Sequence, residues 1–404
     1  MKLTILTQYY PPELGAPQRR LSELSQRMID AGHDVTVLTA MPNYPKGKIF
    51  EGYGGISQRD EIDGVEIIRS FIYPTQKASM IHRLSNYFSF VVSSAVVGTA
   101  RMPKTDYLMV ESPPLFLGMS AVWLNTIKRS QLIFNVSDLW PESAVRLGVV
   151  REGSRTHKLA TWLEEFLYKR ADIVTGQSRS ILSDITDRFP DKKTFRLSNG
   201  TDVNKFGADK ATAEAIQRLK PNGETVIIYA GLHGIAQGLD QAVQAAEQLR
   251  DREDIRFVLV GDGPEKQDLI RMANDRNLDN IAFFDPVEAH EIPPLLASAD
   301  MILVPLKMYI PGAVPSKIYE AMASQKPVIV VAEGEPADIV TRNNTGVALA
   351  PGDIDGLVAA VVKLAEDDAL RTEYAQNGRE TVEEHFNRDK IVADFITFLE
   401  ENLT

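Results

Sequence analysis

The 404-residue sequence predicts an α/β protein built from two doubly wound, parallel-sheet domains. Three observations carry this expectation. Short apolar runs alternate with longer amphipathic ones, which is the pattern of βαβ units. Two such series each open with a strand, a glycine-bearing loop and a helix. Charge is divided unevenly: residues 1–200 carry a net +5 and residues 201–404 a net −16, as expected of domains that face different partners.

The first series starts with a strand at 3–7 and a Pro/Gly-rich loop at 9–17. A helix over 18–31 then lines up Leu21, Leu24 and Met28 on one face, and Gly32 stops it. Strands are expected at 35–39, at 64–68 after a turn, and at 107–110, 132–136 and 173–175. The last three are each followed by helical pattern, and 195–197 closes the set. Residues 198–202 read as a turn and linker.

The second series has strands at 226–229, 257–260, 281–284, 301–304 and 328–331. Helices are expected at 239–249, 317–323, 353–365 and 370–380, with a last one from about 389 to the C-terminus. A crevice at strand ends, or between two such domains, is the usual place for a ligand.

Composition narrows the function. Hydrophobic residues make up 44% and charged residues 25%, which excludes a disordered chain and a polytopic membrane protein. The sequence contains no cysteine, so disulfides, thiolate nucleophiles, Fe–S clusters and Cys-ligated zinc are out of reach. No nucleic-acid partner is expected of so acidic a second half, whereas the basic first half suits anionic lipid or an anionic acceptor. The apolar start at 3–6 is too short for a signal peptide. The uncharged stretches 84–100 and 112–127 fall short of the ~20 apolar residues of a membrane span. Residues 84–97 form an uncharged helical segment flanked by Lys77, His82, Arg83, Arg101 and Lys104. Such a segment lies in a lipid interface or in the core, and the pattern leaves both open.

Three constellations carry candidate chemistry. Gly231, His233 and Gly234 follow a strand, as do Gly261, Asp262 and Gly263. Glycine loops there let backbone N–H groups approach a phosphate, although glycine also serves simply to turn a chain. Lys317 and Glu320 stand three apart at a helix start marked by Pro315 and Ser316, so they share a face. They form either a salt-bridged surface pair or a site in which Lys317 holds a diphosphate while Glu320 accepts from ribose hydroxyls. Asp138 ends a strand just before Pro141, as a helix cap or as a site residue, and Glu111 is similarly placed. Trp140 reads as a packing residue.

Across essentially its whole length the chain resembles the family 4 retaining glycosyltransferases of the two-domain GT-B fold. It is most similar to the bacterial surface-polysaccharide branch that includes N-acetyl-L-fucosamine-type transferases. The resemblance rests on Tyr9-Tyr10-Pro11-Pro12-Glu13-Leu14-Gly15-Ala16, Asp138-Leu139-Trp140-Pro141-Glu142-Ser143 and Asn199-Gly200-Thr201-Asp202. It continues through Gly231 to Gly238, Val260 to Pro264 and Pro315 to Met322. It implies an acceptor-binding domain over 1–200 and a nucleotide-sugar-binding domain over 201–385, with a helix at 386–404 packing back on the first. It also implies a UDP-sugar donor, a lipid-linked acceptor, and a cytoplasmic enzyme, peripheral on the inner membrane, that needs no metal or other cofactor. Glu320 matches the ribose-binding glutamate. Gly15 and Ala16 match the loop that approaches the donor phosphates. The base falls near Gly261, Asp262, Gly263 and Val287.

The departures from the family pattern are specific. Leu232 and Gln237 stand where Arg and Lys are usual, which leaves Lys317, backbone amides and His233 or Arg19 for the diphosphate. Gly312 replaces a glutamate, so the donor sugar is expected on the amides of Gly312, Ala313 and Val314. Ser137 replaces a histidine, which makes Asp138 the polar group expected at the reacting centre together with Lys317. A GT-B-fold sugar-nucleotide epimerase and a non-catalytic nucleotide-sugar-binding protein are the rival readings.

Overall fold

Apolar residues buried on both faces of a strand demand helices on both sides of the sheet, and both sheets here meet that demand. The computed structural model describes residues 1–13, 15–76, 80–146 and 148–403, with only the backbone of Met80 and Arg83. Leu14, Lys77 and the Arg83 side chain, named above, therefore lie outside the described residues. The chain divides into two compact units, Met1–Ser198 with Val392–Thr404, and Asn199–Ile391.

Unit 1 runs β1 (Lys2–Leu6), α1 (Ala16–Asp30), β2 (Asp34–Ala40), β3 (Ser57–Ile62), β4 (Val65–Ser70), α2 (Met80–Arg101) and β5 (Tyr107–Ser112). It continues with α3 (Leu117–Lys128), β6 (Gln131–Val136), α4 (Glu142–Arg146), α5 (Arg155–Arg170), β7 (Ile173–Gly176), α6 (Arg179–Arg188) and β8 (Lys193–Arg196). The sheet order is β3-β4-β2-β1-β5-β6-β7-β8. Every pairing is parallel except β3 with β4. The sequence pattern misses β3 because Ser57-Gln58-Arg59-Asp60-Glu61-Ile62 is a polar edge strand with no fully buried residue, as edges that resist further pairing tend to be.

Unit 2 runs α7 (Ala213–Leu219), β9 (Thr225–Ala230), α8 (Asp240–Gln248), β10 (Ile255–Val260), α9 (Lys266–Asp275), β11 (Ile281–Phe284), α10 (Ile292–Ser298) and β12 (Met301–Pro305). Then follow α11 (Lys317–Ala323), β13 (Val328–Val331), α12 (Glu335–Arg342), β14 (Gly346–Leu349), α13 (Ile354–Glu366) and α14 (Asp368–His385), and α15 (Arg388–Glu401) starts in unit 2 and passes into unit 1 at Val392. The all-parallel sheet has the order β11-β10-β9-β12-β13-β14. Strand order therefore reverses around β1 in one unit and β9 in the other, and ligands of open α/β sheets bind outside the carboxyl ends of strands at such points.

The last helix serves both units. Its first turn stays with unit 2, where the Arg388 guanidinium donates to the carbonyls of Asn199 and Gly200, each at 3.0 Å. Its later turns belong to unit 1. Phe395 and Leu399 are fully buried there, the Phe195 ring lies 5.3 Å from Phe395 and 5.0 Å from Phe398, and Tyr107 donates its hydroxyl to the Leu399 carbonyl at 2.7 Å. Among the described residues no helix is long and apolar enough to cross a membrane.

Candidate functional site

In unit 2 the loop after β9 and the loop after β10 are locked together by backbone bonds. The amide of Gly231 donates to Val260 O at 2.8 Å, that of His233 to Asp262 O at 2.8 Å, and that of Glu265 to His233 O at 3.0 Å. Gly261, at φ 141°, is tied by this closeness: a Cβ there would overlap the Gly231 carbonyl oxygen. Gly231, at φ 153°, holds a backbone conformation that side-chain-bearing residues rarely adopt, and a Cβ there would meet the flexible end of the Lys317 side chain. The structure thus brings Gly231, His233, Gly261, Asp262, Gly263 and Lys317 into one cluster at the ends of neighbouring strands.

Lys317 opens α11 with its ammonium 5.5 Å from the centre of the Tyr229 ring, and the Tyr229 hydroxyl is turned away to the Leu232 carbonyl at 2.7 Å. Among the described residues Lys317 has no carboxylate within ion-pair range, and the Glu320 carboxylate accepts no hydrogen bond. The salt-bridged pair that their spacing allowed is not formed. Both side chains are half-buried, so an unpaired cation and an unpaired anion stand one turn apart with their hydrogen-bonding capacity unspent.

His233 corrects one expectation. It is fully buried, and neither ring nitrogen has a hydrogen bond of good geometry. Burial, then the nearby Lys266 ammonium, push its pKa below the usual imidazole value, against smaller pulls from the Val260 carbonyl and Asp262. A neutral imidazole enclosed in this way is no standing positive charge for a diphosphate. Gly234 precedes a single 3-10 turn, Ile235–Gln237, ahead of α8. In the 312–314 segment the Ala313 amide is already given to Ile310 O at 3.2 Å, which leaves the amides of Gly312 and Val314 unbonded among the described residues. Val314 and Val287 pack against the core of unit 2. Ser316 makes no side-chain cap bond to the seven-residue α11.

Unit 1 holds a second cluster, at the ends of β5 and β6. The buried Glu111 carboxylate accepts from Arg20 Nη2 at 2.5 Å, Asn135 Nδ2 at 2.6 Å and Ser137 Oγ at 2.5 Å. Arg20 Nη2 also reaches Ser137 Oγ at 2.9 Å, while its Nη1 is buried with no partner among the described residues. Asn135 in turn accepts from Thr175 at 2.6 Å, and Gln177 donates to the Ser137 carbonyl. Asp138 stands beside this network. Its carboxylate accepts no hydrogen bond among the described residues, so the helix-cap alternative is not realised. Its pKa is pushed up to about 6, first by burial and then by the Glu111 charge, with Arg20 opposing. Gly15 and Ala16 lie exposed at the start of α1. Trp140 packs edge-on to Phe116 at 6.0 Å.

Arg20 is the residue that sequence reasoning missed. Arg19, weighed as a phosphate cation, pairs instead with Glu23 on its own helix, Nε to Oε1 at 3.4 Å. The signal was present: Arg20, Leu24 and Met28 recur at intervals of four, which puts Arg20 in line with the buried face of α1. Among the described residues no group of three or more His, Asp or Glu side chains is placed to hold a metal ion.

Comparison with known proteins agrees with this architecture. Residues 15–200 match the glycosyl transferase 4-like domain, and residues 211–381 match glycosyl transferases group 1. The chain is 28% identical over 394 residues to the putative colanic acid biosynthesis glycosyl transferase WcaI of Escherichia coli (strain K12), an alignment spanning 93% of this chain and 96% of that one. Among solved structures it is similar to sucrose-phosphate synthase from Thermosynechococcus elongatus, with a TM-score of 0.79 at 18% identity over 99% of this chain and 98% of that one. It is also similar to Anabaena Alr3699/HepE in complex with UDP, with a TM-score of 0.74 at 17% identity over 99% and 100% of the two chains. The chain is a glycosyltransferase of the GT-B fold, pairing a 4-like domain with a group 1 domain.

Proposed function

We propose that this glycosyltransferase moves a sugar, with retention, from a UDP-sugar held by unit 2 to a polyprenyl-diphosphate-linked acceptor held by unit 1, in the assembly of a bacterial surface polysaccharide. The observation that carries the reading is Lys317. It is an ammonium without a carboxylate partner among the described residues, laid against the backbone of Gly231 at the strand-order reversal. A charge so placed stabilises a departing diphosphate more than a bound one, which is what lowers a barrier. Glu320, one turn on, accepts from the ribose hydroxyls, and the amides of Gly312 and Val314 face the donor sugar, an acetamido sugar. The anomeric carbon breaks its bond to the diphosphate oxygen, UDP leaves with the electron pair, the acceptor oxygen bonds on the same face, and the acceptor hydroxyl proton passes to the departing diphosphate oxygen. Asp138 orients that acceptor hydroxyl and accepts its hydrogen bond.

The UDP donor is supported by a relative of the same fold solved with UDP, and the polysaccharide setting by the WcaI relative. The test is UDP release from a panel of UDP-sugars, with and without an extracted polyprenyl-diphosphate-sugar acceptor, and NMR of the product anomer. Acceptor-dependent UDP release with the donor's anomeric configuration kept is the expected result. Inversion, or release only from other nucleotide sugars, contradicts the proposal.

A further inference from the structure

α2 has two faces. Phe90, Val91, Ser94 and Val97 are buried, whereas Ile81, Leu84, Phe88, Val92 and Val96 lie open at helical spacing, Val92 and Val96 each 62% exposed. The sequence left this helix between lipid interface and core, and the structure gives one of its faces to the core and the other to solvent. α3 repeats the arrangement: Met119, Trp123 and Ile127 recur every four residues, Trp123 at 55% exposure.

The two helices lie side by side. Ser94 and Ser120 hydroxyls meet at 2.9 Å, Trp123 Nε1 donates to Thr99 Oγ1 at 3.1 Å, and the Phe88 ring centre lies 4.9 Å from that of Phe116. Thr99 is one turn beyond Val96, so the two open stripes join at Trp123. Monomeric soluble proteins rarely expose contiguous apolar patches beyond a few hundred Å².

Charge selects the occupant. Neither α2 nor α3 contains an aspartate or glutamate. Arg101, Lys104 and Arg129, at the end of the face, are exposed and make no ion pair among the described residues. A protein partner would meet an apolar face with carboxylates as readily as cations around it. An anionic bilayer asks for this combination: apolar side chains enter the acyl boundary, tryptophan sits at headgroup level, and cations meet lipid phosphates.

We infer that the α2–α3 face, with Trp123 at its centre, docks unit 1 onto an anionic lipid surface. This deepens the lipid-acceptor reading, since it sets the acceptor-binding unit against the phase in which a polyprenyl carrier resides.

The test is flotation of the full chain with vesicles of phosphatidylethanolamine and phosphatidylglycerol, against vesicles of phosphatidylcholine alone. Wild type should float with the anionic vesicles and release as salt rises. V92S/V96S/W123S should lower partitioning by about tenfold or more. R101Q/R129Q should lower it by about fivefold per charge on anionic vesicles and leave the weak neutral-vesicle signal unchanged. All these side chains are exposed, so an unchanged Tm and unchanged donor hydrolysis are expected of both variants. Should the apolar triple variant unfold, the charge variant decides alone. Wild type that stays behind at low salt overturns the inference, as does equal flotation of all variants. So does a concentration-dependent dimer that the apolar variant abolishes without any vesicle binding. A protein that floats as described yet transfers only to water-soluble acceptors refutes the acceptor reading and leaves the docking face standing.

Discussion

Lys317 fills the space that a side chain on Gly231 would need, so the two residues exclude any third group from between them. Gly231→Ala should therefore push the ammonium away from the strand end while also straining a backbone at φ 153°. Steady-state kinetics should show turnover falling by about a hundredfold or more in Lys317→Ala, the scale of losing one donor to a developing anion. Adding Gly231→Ala to Lys317→Ala should cost less turnover than Gly231→Ala costs in wild type, because the shared contact is already gone and only the backbone strain is left to act. Additive losses would separate them.

Glu320→Ala should act mainly on donor affinity. The proposed ribose contacts would be equally present before and during reaction, so KM for the donor should rise while kcat moves little. Loss of a charge-assisted hydrogen bond corresponds to about 1.5–3 kcal/mol, or roughly ten- to a hundredfold in donor Kd measured by titration calorimetry.

Asp138 should impose an acid limb on activity. With its pKa near 6, the carboxylate proposed to accept from the acceptor hydroxyl is lost as pH falls through that value, and kcat/KM should fall with it. Glu111→Gln removes the negative charge that helps raise this pKa, so the limb should move to lower pH. Arg20→Gln removes the opposing cation and should move it upward. Unmoved limbs in both variants would detach Asp138 from this network.

The same shift has a stability consequence. The folded state holds this proton more tightly than the unfolded chain, whose value is 3.8, so the charged form is a cost above pH 6 and no cost below pH 4. Asp138→Asn should stabilise the protein near pH 8 by up to about 3 kcal/mol. The gain should fade between about pH 6 and pH 4 in thermal melts.

Transfer activity should persist in EDTA, since Lys317 and backbone amides stabilise the leaving diphosphate in this account. Complete loss restored by Mg²⁺ or Mn²⁺ would assign that charge to a metal.

Much of this was legible in the sequence where the determinant was local. Strand, glycine loop and helix at 226–249, and the three-residue spacing of Lys317 and Glu320, follow from periodicity and turn chemistry alone. The rest depended on groups far apart in the chain. His233 reads as an available ring beside glycines, yet residues 261–265 close over it through backbone bonds that no local pattern encodes. Arg20 meets Glu111 across 91 residues, and only its alignment with Leu24 and Met28 hinted that it points inward. Exposure of Trp123 was hidden because α3 is apolar on both faces, so periodicity gave no side to water.

Thermal shift with UDP-sugars on wild type, Lys317→Ala and Glu320→Ala tests whether unit 2 holds a UDP-sugar through these two side chains. At about 100 times its Kd, a bound UDP-sugar should stabilise wild type by about 2.7 kcal/mol, with the shift reduced in Lys317→Ala and cut to about 0.4–1.4 kcal/mol in Glu320→Ala at the same ligand concentration. Equal shifts in all three proteins, or no UDP-sugar that shifts wild type at all, would place the donor site away from Lys317 and Glu320.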